Sequence, residues 1–109
     1  MKNSLKSNKE FKKVYCNGKS LANRYLVMYV LKNELEVNRL GISVSKKVGN
    51  SVVRHRVTRL IRESYRLHCE EVKTGYDIIV VGRVSAKEMG FKEIESSFLH
   101  LIGMHKLDI

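Results

Sequence analysis

Proline and tryptophan are absent, cysteine occurs twice, and only 11 acidic residues stand against 21 lysines and arginines. Each shortage closes off a class of protein. With no proline and no low-complexity run to mark a linker, residues 1–109 are expected to form a single domain. Cys16 and Cys69 are too few for a disulfide framework or a four-ligand zinc site and read as free, inert thiols. No apolar run approaches the ~18 residues of a membrane span, and MKNSLKSNKEF lacks the apolar centre of a secretory signal. The expected setting is therefore the cytoplasm, with no membrane partner. G-x-S-x-G, Walker and H-E-x-x-H patterns are missing. His55, His68, His100 and His105 show no metal-ligand spacing, and His68 falls where a structural histidine is expected. Glu34, Glu36, Glu70, Glu71, Glu93 and Glu95 fall in turns and at helix edges rather than in a two-metal cluster. A nuclease working through its own side chains has no candidates here.

What is present is positive charge in one place. The hydrophobic share of 43% is that of a globular chain, and the net charge is +10. Residues 46–66, KKVGNSVVRHRVTRLIRESYR, hold seven cations and one carboxylate, which is +6 of that +10. A field of this sign attracts polyanions. The competing readings are a face kept charged for solubility and a helix lying on an anionic membrane.

The periodicities predict the order α-β-β-α-β-α, an α+β sandwich with room for an extra short strand at the sheet edge. Residues 1–6 are polar and expected to fray. Ser7 and Glu10 form an S-x-x-E capping box, Phe11, Val14 and Tyr15 share one face of the first helix, and Asn17-Gly18 predicts a left-handed stop. Residues 24–31 predict a strand covered on both faces, with Tyr25, Val27, Tyr29 and Leu31 on one side and Leu26, Met28 and Val30 on the other. In the second strand Leu40, Ile42 and Val44 alternate with Arg39, Gly41, Ser43 and Ser45. A long helix starts after Gly49-Asn50-Ser51 and ends before Lys73-Thr74-Gly75. Residues 77–83 predict a compact apolar strand, reached from the second by a crossover long enough to be parallel. Ser85 and Glu88 repeat the capping signature ahead of a last helix striped by Phe91, Ile94, Phe98, Leu101 and Ile102.

At about 100° per residue, with Arg54 as zero, Val53, Val57, Leu60, Ile61, Ser64, Leu67 and His68 fall within about 220–340° of the long helix. Arg59, Arg62 and Arg66 fall at about 80–140°, flanked by Arg54 and Arg56. The apolar arc docks the helix on the sheet, so the arginine arc faces outward. Five of the seven cations are arginine, whose planar fork suits phosphate oxygens. Only Glu63 is placed to relieve them, through Arg59 or Arg66. Lys46, Lys47, Arg54 and Arg56 gather at the helix N-terminus, where the dipole is already positive and free N–H groups after Asn50 add donors. A phosphate would reverse that unfavourable field. An apolar arc committed to the sheet also argues against a membrane-surface helix, which keeps that face for lipid.

These same residues carry a resemblance. GNSVVRHRVTRLIRE following LGISVSKK resembles the signature of the bacterial ribonuclease P protein family, and SNKEFKKVYCNG, ANRYLVMYV, RLGISVSKKVGN and YDIIVVGR stand in that family's order and spacing. His55 stands where the family usually has asparagine. A ring nitrogen there either keeps a side-chain hydrogen bond or adds partial charge. The resemblance implies a ribosomal-protein-like fold with a left-handed βαβ crossover, where the general rule alone gives a right-handed one.

It further implies a non-catalytic subunit of an RNA-based endoribonuclease. A catalytic RNA, holding most of the Mg2+, would perform the hydrolysis that removes the 5′ leader from precursor tRNA. No catalytic residue, no metal ligand and no protein partner are then expected of this chain. Lys46, Lys47, Asn50, Arg54, His55, Arg56, Arg59, Arg62 and Arg66 would face the catalytic RNA, and a cleft between the first helix and the sheet would hold the leader. For that cleft the residues offer Phe11, Tyr15 and Tyr29 as stacking platforms and Lys12, Lys13 and Arg24 as backbone contacts, with Gly41, Ser43 and Ser45 leaving room. Plain core packing remains the alternative for the three aromatics. A structural RNA-binding protein of the ribosome or its assembly is the alternative for the whole chain.

Overall fold

The computed structural model describes residues 3–109. Its elements are α1 (Asn8–Asn17), β1 (Lys19–Ala22), β2 (Leu26–Lys32), β3 (Arg39–Val44), α2 (Ser51–His68), β4 (Tyr76–Gly82) and α3 (Phe91–Met104), with short 3-10 turns at Cys69–Glu71 and Val84–Ala86. The four strands lie in the order β1-β2-β4-β3. β1 with β2 and β2 with β4 are antiparallel; β3 with β4 is parallel, and α2 is its crossover. The short edge strand is β1.

Alternation along the strands sends side chains to two different layers. Leu26, Met28 and Val30 of β2, Leu40 of β3, and Ile78 and Val80 of β4 join Val57 and Ile61 of α2 and Ile94, Phe98, Leu101 and Ile102 of α3 in the larger core. On the opposite face, Ile79 packs with Leu5 and Val14 of α1, bordered by Phe11, Tyr29, Leu31 and Val81. Covered on both faces, β4 reads as an unbroken apolar run rather than an alternating one.

The capping box stands: Glu10 N–H donates to Ser7 Oγ at 3.1 Å, and Ser7 N–H to Glu10 Oε1 at 3.1 Å. The left-handed stop at Gly18 does not, because Gly18 is extended at φ −82° and leads straight into β1. Glycine is required there for space. A Cβ would lie 2.7 Å from the carbonyl oxygen of Val14 and 3.0 Å from that of Val30, both backbone atoms that cannot turn aside. Gly18→Ala is expected to cost about 1–3 kcal/mol in urea unfolding, the usual range for overpacking. Gly103→Ala, with nothing within 4 Å, is the matched control and is expected to gain about 0.5–1 kcal/mol from helix propensity.

The expected fraying of residues 1–6 is overturned from residue 3 onward. Ser4 bridges Leu40 in parallel, Leu5 N–H donates to Leu40 O at 3.0 Å, and Leu40 N–H donates to Asn3 O at 3.1 Å. β3 is otherwise a sheet edge, and its free backbone groups capture the segment. Residues 1 and 2 of that expectation lie outside the described residues. Ser85 does not cap α3 either. It sits in a 3-10 turn and donates its hydroxyl to Arg24 O, while Gly90 caps the helix and sends its N–H to Glu93 Oε1 at 2.9 Å. Leu67, at the margin of the predicted apolar arc, is 48% exposed. Tyr25 precedes β2, where strand alternation does not yet hold, and packs against the larger core instead of sharing the Tyr29 face.

Candidate nucleic-acid interface

Asn50 starts α2, its Oδ1 accepting from Val53 N–H at 3.0 Å. Before it, the turn at residues 46–48 buries Val48 and leaves Lys46 and Lys47 exposed. Val57, Ile61 and Ser64 are buried under the helix, so Arg59, Arg62 and Arg66 are turned to the exposed side. Arg66 pairs with Glu63, which holds that carboxyl below its ordinary range. Ser51, Val52, His55, Arg56 and Arg59 line a shallow depression of about 420 Å³, with Val52 75% exposed beside it.

Two members of the predicted set sit lower. Arg56 is half-buried and donates to the carbonyls of Lys87 and Met89, tying α2 to the segment ahead of α3. Arg54 is also half-buried, and its Nε–H meets no acceptor among the described residues. The exposed face is thus Lys46, Lys47, Asn50, His55, Arg59, Arg62 and Arg66.

On the opposite side of the sheet, Tyr15 and Tyr29 meet edge to face at 4.8 Å, and Phe11 lies 6.3 Å from Tyr15. Tyr15 is 38% exposed, and Lys12 and Lys13 are exposed beside it. The room expected over Gly41 is already filled: a Cβ there would stand 2.6 Å from Cζ of Phe11. Ser43 is half-buried and Ser45 exposed. Arg24 does not join this group. It lies across the Tyr25 ring at 5.5 Å and faces α3.

Sequence reasoning missed the ion pairs that hold α1 against the sheet. The parallel register sets Arg39 beside Asp77. Arg39 Nε and Nη2 donate to the two Asp77 oxygens at 2.8 and 2.7 Å, and Nη1 reaches Glu10 Oε2 at 2.8 Å. Asn33 Nδ2 adds a donor to Asp77 at 2.9 Å. Burial pushes the Asp77 carboxyl up, but the hydrogen bonds from Arg39 and Asn33 outweigh it and leave the group below its ordinary value. The backbone N–H groups of Lys6 and Ser7 lower Glu10. Only Glu10 had a sequence signal, its capping box. His68 is structural, between Glu95 at 2.8 Å and Glu71 at 2.6 Å, and those hydrogen bonds raise its pKa. Among the described residues no three His, Cys, Asp or Glu side chains gather to hold a metal ion, and no helix is long and apolar enough to cross a membrane.

An arginine face on α2, opposed across the sheet by the exposed Tyr15, the half-buried Phe11 and Tyr29, and exposed lysines, defines the class: an RNA-binding α+β protein. The ribonuclease P family model matches residues 1–106, and the chain belongs to that family. The ribonuclease P protein component of Lachnoclostridium phytofermentans is 60% identical over 107 residues, covering 98% of this chain and 92% of the relative. That of Clostridioides difficile is 54% identical over 99 residues, covering 90% and 87%. Among solved structures, the Staphylococcus aureus ribonuclease P protein superposes with a TM-score of 0.90 at 40% identity, covering 97% of both chains. The Thermotoga maritima protein gives 0.86 at 29% identity, covering 94% and 96%.

Proposed function

We propose that this chain is the protein subunit of a bacterial ribonuclease P, acting in the cytoplasm to assist removal of the 5′ leader from precursor tRNA. The whole-length family match carries this reading. The α2 face binds the catalytic RNA: Arg59 and Arg62 offer forked donors to phosphates, Arg66 adds its guanidinium beside Glu63, and Lys46 and Lys47 extend the positive field around the helix start. His55 stands among them as a ring donor or acceptor. Across the sheet, Tyr15, Tyr29 and the half-buried Phe11 stack leader bases while Lys12 and Lys13 hold the leader's backbone.

Of the carboxylates, Glu10 and Asp77 are engaged by Arg39, and Glu71 and Glu95 by His68. Among the described residues no three His, Cys, Asp or Glu side chains gather to hold a metal ion. Mg2+ bound by the RNA would supply the charge stabilisation for phosphodiester hydrolysis. The protein raises affinity and contributes no base or nucleophile.

The test is precursor-tRNA cleavage by the catalytic RNA at low magnesium, with and without this protein. Cleavage is expected to rise at least about tenfold, the effect of ~1.4 kcal/mol of added binding. Tyr15→Ala with Tyr29→Ala is expected to raise KM for leader-bearing precursor about tenfold or more, since each lost base stack is worth ~1–3 kcal/mol. Assembly with the RNA stays unchanged in that variant. No stimulation at any salt concentration overturns the proposal and favours a structural RNA-binding role.

A further inference from the structure

Arg24 points to a site of its own. A groove of about 540 Å³ runs between the turn at residues 23–25 and the exposed side of α3, lined by Asn23, Arg24, Tyr25, Lys92, Ser96 and His100 among others. Tyr25 packs on the larger core, whereas Tyr29 belongs to the α1 side. The groove is therefore separate from the aromatic cluster on α1.

The turn is held rigidly. Asn23 N–H donates to Leu26 O at 3.0 Å, Arg83 Nη1 donates to Asn23 O at 2.7 Å, and Ser85 takes the carbonyl of Arg24. The Asn23 side chain is oriented by its partners: Oδ1 accepts from Leu26 N–H and Ser97 Oγ, so Nδ2 donates to Ser97 O and to His100 Nδ1 at 3.1 Å. With Nδ1 accepting, His100 keeps Nε2–H as its free donor. Arg24 and Lys92 supply two cations, and no ion pair among the described residues holds either one. Glu93 also lines the groove; its Oε1 accepts from Gly90 N–H at the start of α3, and its carboxylate leaves the lining with a net charge of +1 beside Arg24 and Lys92. The groove thus combines an Arg–Tyr stack, two unpaired cations and fixed polar donors, in a volume within the range of small-ligand sites.

We infer that this groove binds one nucleotide of RNA, its phosphodiester between Arg24 and Lys92 and its base against the Arg24–Tyr25 stack, as a third RNA contact on the α3 side. The inference rests on the RNA-binding reading of the chain.

R24E combined with K92E tests it in the reconstituted holoenzyme. The strand comes either from the catalytic RNA or from the precursor tRNA, and the two arms separate them. A roughly tenfold weaker assembly identifies the catalytic RNA; a roughly tenfold higher KM with intact assembly identifies the substrate. In the affected arm the slope of log K against log salt shrinks by about 0.7, the loss of one single-strand phosphate contact. Unchanged assembly, KM and slopes in a variant that melts with the parent overturn the site. If the double variant melts early, K92E alone decides, with about a threefold loss expected and no change overturning the site. A readout independent of tRNA processing is the NMR signals of the Tyr25 and His100 rings during titration with a short oligoribonucleotide. Saturable shifts there support the groove even if cleavage is not stimulated; shifts confined to α2 and α1 overturn it.

Discussion

Arg59→Glu combined with Arg62→Glu is expected to weaken assembly with the catalytic RNA about 100-fold, since two charge-assisted contacts at ~1.5 kcal/mol each make about two decades. Both side chains are exposed, and neither has a protein partner among the described residues, so their reversal leaves packing beneath α2 untouched. What changes is the sign of the field. The remaining cations lose two neighbours, and two carboxylates now face phosphates that arginine forks would have met. The salt dependence distinguishes this from misfolding: the slope of log K against log salt should fall by about 1.4–1.8 for two phosphate contacts, while the melting temperature holds. A variant that binds the RNA as tightly as the parent at every salt concentration would place the interface elsewhere. Leader affinity of preassembled complex should move far less than assembly, because the aromatic cluster lies across the sheet.

The second large effect is on stability. Asp77→Ala is expected to cost about 3 kcal/mol in urea unfolding, the low end for breaking a buried pair from one side, because Arg39 retains some water contact. The Asp77 side chain is 5% exposed and that of Arg39 29%. Removing the carboxylate leaves the guanidinium with Glu10 alone and takes one acceptor from Asn33. Asp77→Asn keeps the volume and is expected to cost less, about 2 kcal/mol, because one oxygen can still accept.

A pH signature accompanies the loss. Asp77 and Glu10 titrate lower in the folded chain than in the unfolded one. Their contribution is fully present above the unfolded carboxylate values and is lost as pH falls through the folded ones, a window that opens below about pH 4. The parent should therefore lose stability in that window faster than Asp77→Asn, and parallel curves would show that Asp77 is not the linked group.

How much of this was legible follows from the range of each interaction. The Ser7–Glu10 box spans three residues and was read correctly. The same S-x-x-E pattern at Ser85 was not, because its hydroxyl found the Arg24 carbonyl, 61 positions away in the chain. Gly18 stands out as a break, yet its reason is a squeeze between the Val14 carbonyl of its own helix and the Val30 carbonyl of β2, and the second of these no local pattern reveals. Periodicity put Phe11, Tyr15 and Tyr29 on the proper faces, but not the Phe11 ring over Gly41. Arg24 stood two letters from the start of β2, and nothing in its neighbours told which side of the sheet it would serve.

The amino-acid order by itself determined where the charge lies and which residues line each helix and strand, since these depend on spacing along a single element. The tertiary structure alone decided which cations stay free. Arg39 was neutralised by Asp77, Arg56 was drawn to two carbonyls, and Arg59, Arg62, Arg24 and Lys92 were left exposed. Pairing depends on distances of about 3 Å between groups from different elements, and those distances exist only after the sheet register and the helix docking have closed.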